Sequence, residues 1–315
     1  MKYLYKRLFL FVLIPCLLLF TSCSSPTQRN DIQVDQTSSK GDVENMTSKE
    51  NITTEKDINP SRDEKKEAIV SEQVLLDKDG IKITLKGFEP KGLFGPSLKV
   101  LVENNTDGTI IVQTRDSAVN RVMVQTIFSC EVAGGKKAND QIIIMNSDLE
   151  QAGIEVIKDI ELKFHIFDSQ TWDTIFDSEA IMITTSADPS YVQEYDDSGF
   201  LALDKNGIKI VVKKLNVEDS IWGADVFVYV ENNRDEDVTV QVREVSVNGF
   251  MVDAIFSCDV LAGKIAYDKI TFLESQLEEN EITSIDEIEL IFHTFNTKTW
   301  DTIFDSDVIT IKFDS

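Results

Sequence analysis

The residues best equipped for chemistry are a few thiols and imidazoles. The chain holds four cysteines and two histidines. Cys16 and Cys23 belong to a leader described below, so Cys130 and His165 remain in one stretch and Cys258 and His293 in another. A cysteine–histidine dyad is a nucleophile when the imidazole lies within about 3 Å of the thiol and can take its proton. The surrounding pattern predicts otherwise. Cys130 shares its parity with the apolar Phe128 and Val132, whereas His165 shares its parity with Glu161 and Lys163. Alternation therefore predicts a buried thiol and a surface or rim imidazole, separated by roughly 10 Å across a sheet. No catalytic residue is assigned. Zinc is excluded as well, because two thiols and two imidazoles in separate domains offer no four-ligand set.

Three further groups could hold a ligand. The octet Thr171-Trp172-Asp173-Thr174-Ile175-Phe176-Asp177-Ser178 recurs letter for letter at Thr299–Ser306. Its alternation predicts Trp172, Thr174 and Phe176 on one buried strand face, in the last hairpin of a domain. Acid is concentrated near the C-terminus, with 27 Asp and Glu against 10 Lys and Arg over residues 188–315, compared with 18 against 11 over 71–187. Oxygen ligands in turns suit calcium, which makes Asp235, Glu236 and Asp237 the candidates for a cation, against the plainer reading of a solvated acidic face. Finally, Gln113 and Arg115 recur as Gln241 and Arg243, and are expected to form a strand-face hydrogen bond or ion pair. No cofactor is expected.

What positions these residues is an internal repeat. Asp77-Lys78-Asp79-Gly80-Ile81-Lys82-Ile83 answers to Asp204-Lys205-Asn206-Gly207-Ile208-Lys209-Ile210 at an offset of 127, and further on the offset is 128. Between Ile154 and Thr185, 18 of 32 positions match their counterpart. Units this long are domains, not solenoid repeats. Within each, Ile81, Ile83 and Leu85, then Leu98, Val100 and Val102, then Ile160, Leu162, Phe164 and Ile166 alternate with polar residues, as half-buried antiparallel strands do. Asp79-Gly80 predicts a two-residue hairpin and Asn105-Thr106-Asp107-Gly108 another turn. Ser147-Asp148-Leu149-Glu150, echoed by Ser275-Gln276-Leu277-Glu278, has capping-box spacing and predicts one short helix per copy. The expected fold is all-β: two tandem antiparallel immunoglobulin-like β-sandwich domains at 71–186 and 199–315, joined by a linker at 187–198, with a closed barrel as the alternative.

The Asp-Lys-Asp-Gly-Ile-Lys-Ile opening, the Val-Glu-Asn-Asn turn, the Ile-Phe-Ser-Cys strand and the Trp-Asp-Thr-Ile-Phe-Asp-Ser ending resemble small immunoglobulin-like domains of unknown function found in surface lipoproteins of Gram-positive anaerobes. The resemblance spans both copies. It implies a fold and a location, and no activity.

The first residues point to the same location. Lys2, Lys6 and Arg7 precede the apolar run Leu8–Phe20, which is shorter than the roughly 20 residues that span a bilayer. Leu19-Phe20-Thr21-Ser22-Cys23 is similar to a bacterial lipobox, which makes residues 1–22 a lipoprotein signal peptide and Cys23 the lipidated residue. A diacylglyceryl group supplies the two chains that stable anchoring needs. Residues 24–70 contain no aromatic residue and no periodicity, the composition of a disordered tether. Losing three basic residues takes the formal charge from −24 to −27, which excludes nucleic acid as a partner and leaves an envelope protein or a cationic ligand. The expectation is a lipid-anchored, extracytoplasmic, non-catalytic binding or display protein of the cell envelope. A hydrolase with an unrecognised site and an inert spacer are the alternatives.

Overall fold

The computed structural model describes residues 69–217, 220 and 222–313. The predicted signal peptide, Cys23 and the tether up to residue 68 lie outside them. The described residues belong to one compact unit.

The first repeat runs β1 (Gln73–Lys78), β2 (Ile81–Glu89), β3 (Ser97–Asn104), β4 (Ile110–Val119), β5 (Val122–Met123), β6 (Thr126–Ile127), β7 (Ser129–Val132), β8 (Lys136–Ile144), α1 (Asn146–Gln151), β9 (Asp159–Asp168), β10 (Thr174–Asp177) and β11 (Ile181–Thr184). The second follows it element by element: β12 (Phe200–Lys205), β13 (Ile208–Asn216), β14 (Gly223–Asn232), β15 (Val238–Val247), β16 (Phe250–Met251), β17 (Ala254–Ile255), β18 (Ser257–Val260), β19 (Ile265–Leu273), α2 (Glu274–Glu279), β20 (Glu287–Asn296), β21 (Thr302–Asp305) and β22 (Ile309–Lys312). Each repeat is a β-sandwich with open sheets. The predicted inward residues form the core: Ile81, Ile83, Leu85, Leu98, Val100, Val102, Ile160, Leu162, Phe164 and Ile166 are all buried.

Turn chemistry sets the register. Asp79 and Gly80 both take positive φ (50° and 81°), as do Asn206 and Gly207 (53° and 81°), which is the geometry of a two-residue hairpin whose twist matches its strands. Behind that hairpin the buried Asn104 ties three segments together. Its Nδ2 donates to the carbonyls of Gly108 (2.8 Å) and Val132 (2.9 Å), while its Oδ1 accepts from the Thr106 backbone at 3.0 Å. Asn232 repeats the arrangement with Glu236, Val260 and Arg234.

The two sandwiches share a sheet. The β3 sheet of the first repeat runs β1-β2-β3-β8-β6, and the β15 sheet of the second runs β16-β15-β20-β21, with β18 and β22 attached. Between them, the β4 sheet of the first repeat and the β14 sheet of the second join into eleven strands through β5 and β19. The join is a parallel bridge between Val122 and Ile265, closed by the Ile265 N–H donating to the Arg121 carbonyl at 3.0 Å. As a result β13, β14 and β19 are buried on both faces over part of their length. Ile210, Val212, Val228, Val230 and Ala266 face the core of the second repeat, while Val211, Tyr229 and Ile265 face the core of the first. Their counterparts in the first repeat are Thr84, Leu101 and Lys137.

The hairpin tip that makes this join carries Asn120 (φ 46°) and Arg121 (φ 76°), where the second repeat has Asn248 and Gly249. A left-handed arginine costs about 1 kcal/mol relative to glycine. Its side chain is engaged in return: Nε donates to the Gly263 carbonyl (2.6 Å), and Nη2 to Glu231 (3.0 Å) and Asn233 (3.2 Å). Lys264 reaches back to Glu161 at 2.5 Å.

Two local expectations are corrected. Ser147 does not cap α1: Met145 occupies the N-cap without a side-chain hydrogen bond, and Leu273 does so in α2. The carboxylate of Asp148 instead accepts from the Gln125 backbone at 2.6 Å, which pins the helix to the segment between β5 and β6. The folded body also begins before residue 71, because the backbones of Ile69 and Ser186 pair (2.8 Å) and Val70 packs on the core.

Ile265→Lys puts into the shared sheet the residue that the first repeat carries there. It is expected to cost about 3 kcal/mol and to divide one calorimetric unfolding transition into two, since each repeat retains its own core. A single, unshifted transition in the variant means the sheet does not couple the repeats.

Candidate functional site

The register of β7, β4, β9 and β10 lays a polar row across the outer face of the first sandwich. Ser129 stands opposite Gln113, Gln113 opposite His165, and His165 opposite Asp177. One residue away, Cys130, Val112 and Ile166 form the matching inward row. Thiol and imidazole are thus near in register but on opposite faces. The second repeat builds the same row from Ser257, Gln241, His293 and Asp305.

The thiols have acquired a different partner from the one weighed in the sequence. A carboxylate neighbours each thiol, Asp140 for Cys130 and Asp268 for Cys258. Burial, reinforced by the neighbouring carboxylate, pushes the Cys130 thiol up to about 12 and raises Cys258 well above the ordinary thiol range. Both thiols are therefore protonated at neutral pH, and neither faces an imidazole.

The histidines depart from the expectation of a surface or rim position. His165 is only 7% exposed and His293 only 4%. Alternation gave the correct face but not its covering. The Nδ1–H of His165 donates to Asp177 Oδ1 at 2.6 Å, and that of His293 to Asp305 Oδ1 at 2.6 Å. Because a carboxylate can only accept, Nδ1 carries the proton of this bond. The other flank is aromatic: His165 lies 5.2 Å from Phe167 between ring centroids, and Phe167 is stacked on Trp172 at 5.6 Å and 22°. His293, Phe295 and Trp300 repeat the ladder at 5.3 and 5.4 Å.

The octet supplies two members of each site, though not in the predicted manner. Trp172 and Phe176 do not share a buried face. Trp172 sits in the β9–β10 turn at φ 63°, and Trp300 at φ 64°; they are 70% and 72% exposed. A register shift between Thr174 and Phe176 then turns Phe176 toward the core. Ser178 ends the octet structurally: its Oγ accepts from the Phe164 backbone at 2.8 Å, and Ser306 does the same for Phe292 at 2.9 Å. The sequence did contain the signal for the histidine pair, since the Asp twelve residues after each His recurs with it.

Serine, histidine and aspartate in one row suggest hydrolytic chemistry, but β4 stands between the serine and the histidine. Two strand spacings put them about 9.5 Å apart, and Gln113 Nε2 donates to Ser129 Oγ at 3.4 Å in the gap. Gln241 and Ser257 repeat this at 3.2 Å. No base reaches the hydroxyl. The expected strand-face role of Gln113 and Gln241 is what the structure places there, and Arg243 lies 3.9 Å from Asp305.

Two members of the acidic triplet are already engaged with protein groups, and Asp235 is exposed. Glu236 pairs with Arg234 and accepts from Asn296. Asp237 pairs with Lys298 at 3.1 Å and accepts from the Ala262 backbone at 3.0 Å. Among the described residues no group of three His, Cys, Asp or Glu side chains could hold a metal ion, so Asp235, Glu236 and Asp237 are not brought together as calcium ligands.

No family model matches the chain, and no curated protein does. Among solved structures it is similar to the YadV chaperone, at 10% identity over 69% of this chain and 92% of that one, with a TM-score of 0.23. It is also similar to a Salmonella enterica complex of the SafA pilin with the SafB chaperone (9% identity, 69% and 89% coverage, TM-score 0.21) and to red sea bream transglutaminase (11%, 74% and 31%, 0.19). Likeness at these scores carries no argument about activity.

Burial and protonation make both thiols inert in the folded chain. Iodoacetamide at pH 8 is expected to leave Cys130 and Cys258 unmodified until denaturant is added. Mass spectrometry showing either carbamidomethylated in the native protein contradicts that assignment.

Proposed function

We propose that the chain is a lipid-anchored, extracytoplasmic, non-catalytic binding protein of the cell envelope, which engages its partner through the outer sheet faces that carry Trp172 and Trp300. The observation that carries this reading is the duplicated, exposed, left-handed tryptophan. A bulky aromatic side chain at positive φ is a backbone outlier, and leaving an indole in water forgoes about 2 kcal/mol of burial. Both copies retain both costs, together with the Phe and His–Asp pair beneath. Tryptophan is also the residue most enriched among those that dominate binding interfaces.

The anchor in this reading rests on the sequence around Cys23. No helix among the described residues is long and apolar enough to cross a membrane, and a diacylglyceryl group on Cys23 supplies the attachment. The chain's strong negative charge disfavours nucleic acid.

Recovery of an envelope partner from detergent extracts is expected to fall about tenfold when the bait carries Trp172→Ala and Trp300→Ala together. Equal recovery by parent and variant removes the tryptophan faces from the reading. For the anchor, intact-mass measurement of membrane-extracted protein is expected to show a diacylglyceryl adduct that Cys23→Ala abolishes. A parent chain without the adduct ends that part.

A further inference from the structure

The chemistry of the two faces indicates what kind of partner they take. Resting on the binding reading above, we propose that each exposed indole is a seat for a cationic side chain, so that the partner is a lysine- or arginine-bearing polypeptide.

The first argument comes from the other ring of the octet. Lys78 Nζ lies 4.3 Å from the centroid of Phe176, and Lys205 Nζ lies 5.2 Å from that of Phe304. Each copy therefore already places one of its own ammonium groups on the phenylalanine of this hairpin. Tryptophan has the stronger quadrupole for such a contact, yet among the described residues no cation lies over Trp172 or Trp300. One face of each indole is occupied by the stacked Phe167 or Phe295, and the ring is otherwise open to solvent.

The second argument is charge complementarity. Around Trp172 the hairpin from Asp168 to Glu179 contains Asp168, Asp173, Asp177 and Glu179 and no Lys or Arg. The Asp168 carboxyl is held below its usual range by hydrogen bonds from the Thr171 and Gln170 backbones, so its charge persists in mild acid. Carboxylates on the same hairpin as an indole with one open face attract a cation twice, by their charge and through the ring face. An anionic ligand is repelled by the same groups.

The copies differ in which element supplies the charge. In the second repeat Asn296 replaces Asp168, and Lys298 replaces Gln170. Asn296 is bonded to Glu236 and Lys298 pairs with Asp237, so carboxylates from the turn between β14 and β15 stand where the first repeat has Asp168, and the two seats are of similar strength.

The test uses the intact lipidated chain in a non-ionic detergent, with deca-lysine as the cationic probe and an N-acetylglucosamine tetramer as the neutral one, followed by calorimetry. A cation–π contact at an exposed site corresponds to roughly two- to fivefold in affinity. Trp172→Ala and Trp300→Ala are each expected to weaken deca-lysine binding by about that factor, and the double variant by about tenfold. Trp→Phe variants should fall between, and they serve where an alanine variant unfolds. Deca-lysine binding unchanged in the double variant overturns the proposal, because long-range attraction to an acidic surface then explains all of it. Tryptophan-dependent binding of the tetramer in place of deca-lysine overturns it too, in favour of a neutral glycan. If the double variant still loses its envelope partner in either case, the ligand class fails while the binding reading stands. If partner recovery is also unchanged, both fail.

Discussion

The arrangement of this protein depends on a sheet that has two insides. A strand normally has one dry face and one wet one, and alternation follows from that. Where β13, β14 and β19 pass between the repeats, successive residues enter different cores, with Val228 and Val230 in the second repeat's and Tyr229 in the first's. The tip of one sandwich is sealed against the wall of the next, and Arg121 holds the edge of that seal by fixing Gly263 and Glu231. The linker adds to the seal, because the Tyr195 hydroxyl donates to the Asn120 carbonyl at 2.7 Å and its ring packs on the first core. A stretch expected to behave as a connector is part of the joint.

Alternation also decided what the candidate site is not. Within one sheet, neighbouring positions on a strand are close in space and on different sides of a wall, which is why Cys130 and His165 cannot meet. That much was legible from Phe128, Val132, Glu161 and Lys163. What period two cannot convey is what lies over a residue on the outward face. His165 is sealed by Asp177 from the next strand and by the ladder of Phe167 and Trp172, and both contacts depend on a turn that reverses the chain at positive φ. The same turn defeated the prediction for the octet, because alternation presumes a continuous strand and Trp172 precedes β10.

The joint between the repeats is legible in the sequence as differences between the copies, not as identities. Comparison of the copies by identity highlights what they share, such as Asn104 with Asn232, and these residues maintain each fold. The joint is written in what they do not share: Thr84 against Val211, Leu101 against Tyr229, Lys137 against Ile265, Arg121 against Gly249. In the first and third pairs the second repeat has the more apolar residue, and in the second it has the larger ring. Conserved positions in a duplication report the domain, and diverged apolar ones report the contact between domains.

The left-handed arginine has one more implication, for the order of the halves. A tip with arginine and valine meets a wall with isoleucine and tyrosine, and this pairing has a direction. The remaining tip, with Gly249, Phe250 and Met251, and the remaining wall, with Lys137 and Glu103 paired to each other, do not complement one another in the same way. A chain in which the halves traded places would bring a bare glycine turn against a charged edge and leave the junction unclosed. Duplication gave two similar bodies, and divergence at a few positions turned them into a donor and an acceptor that are not interchangeable.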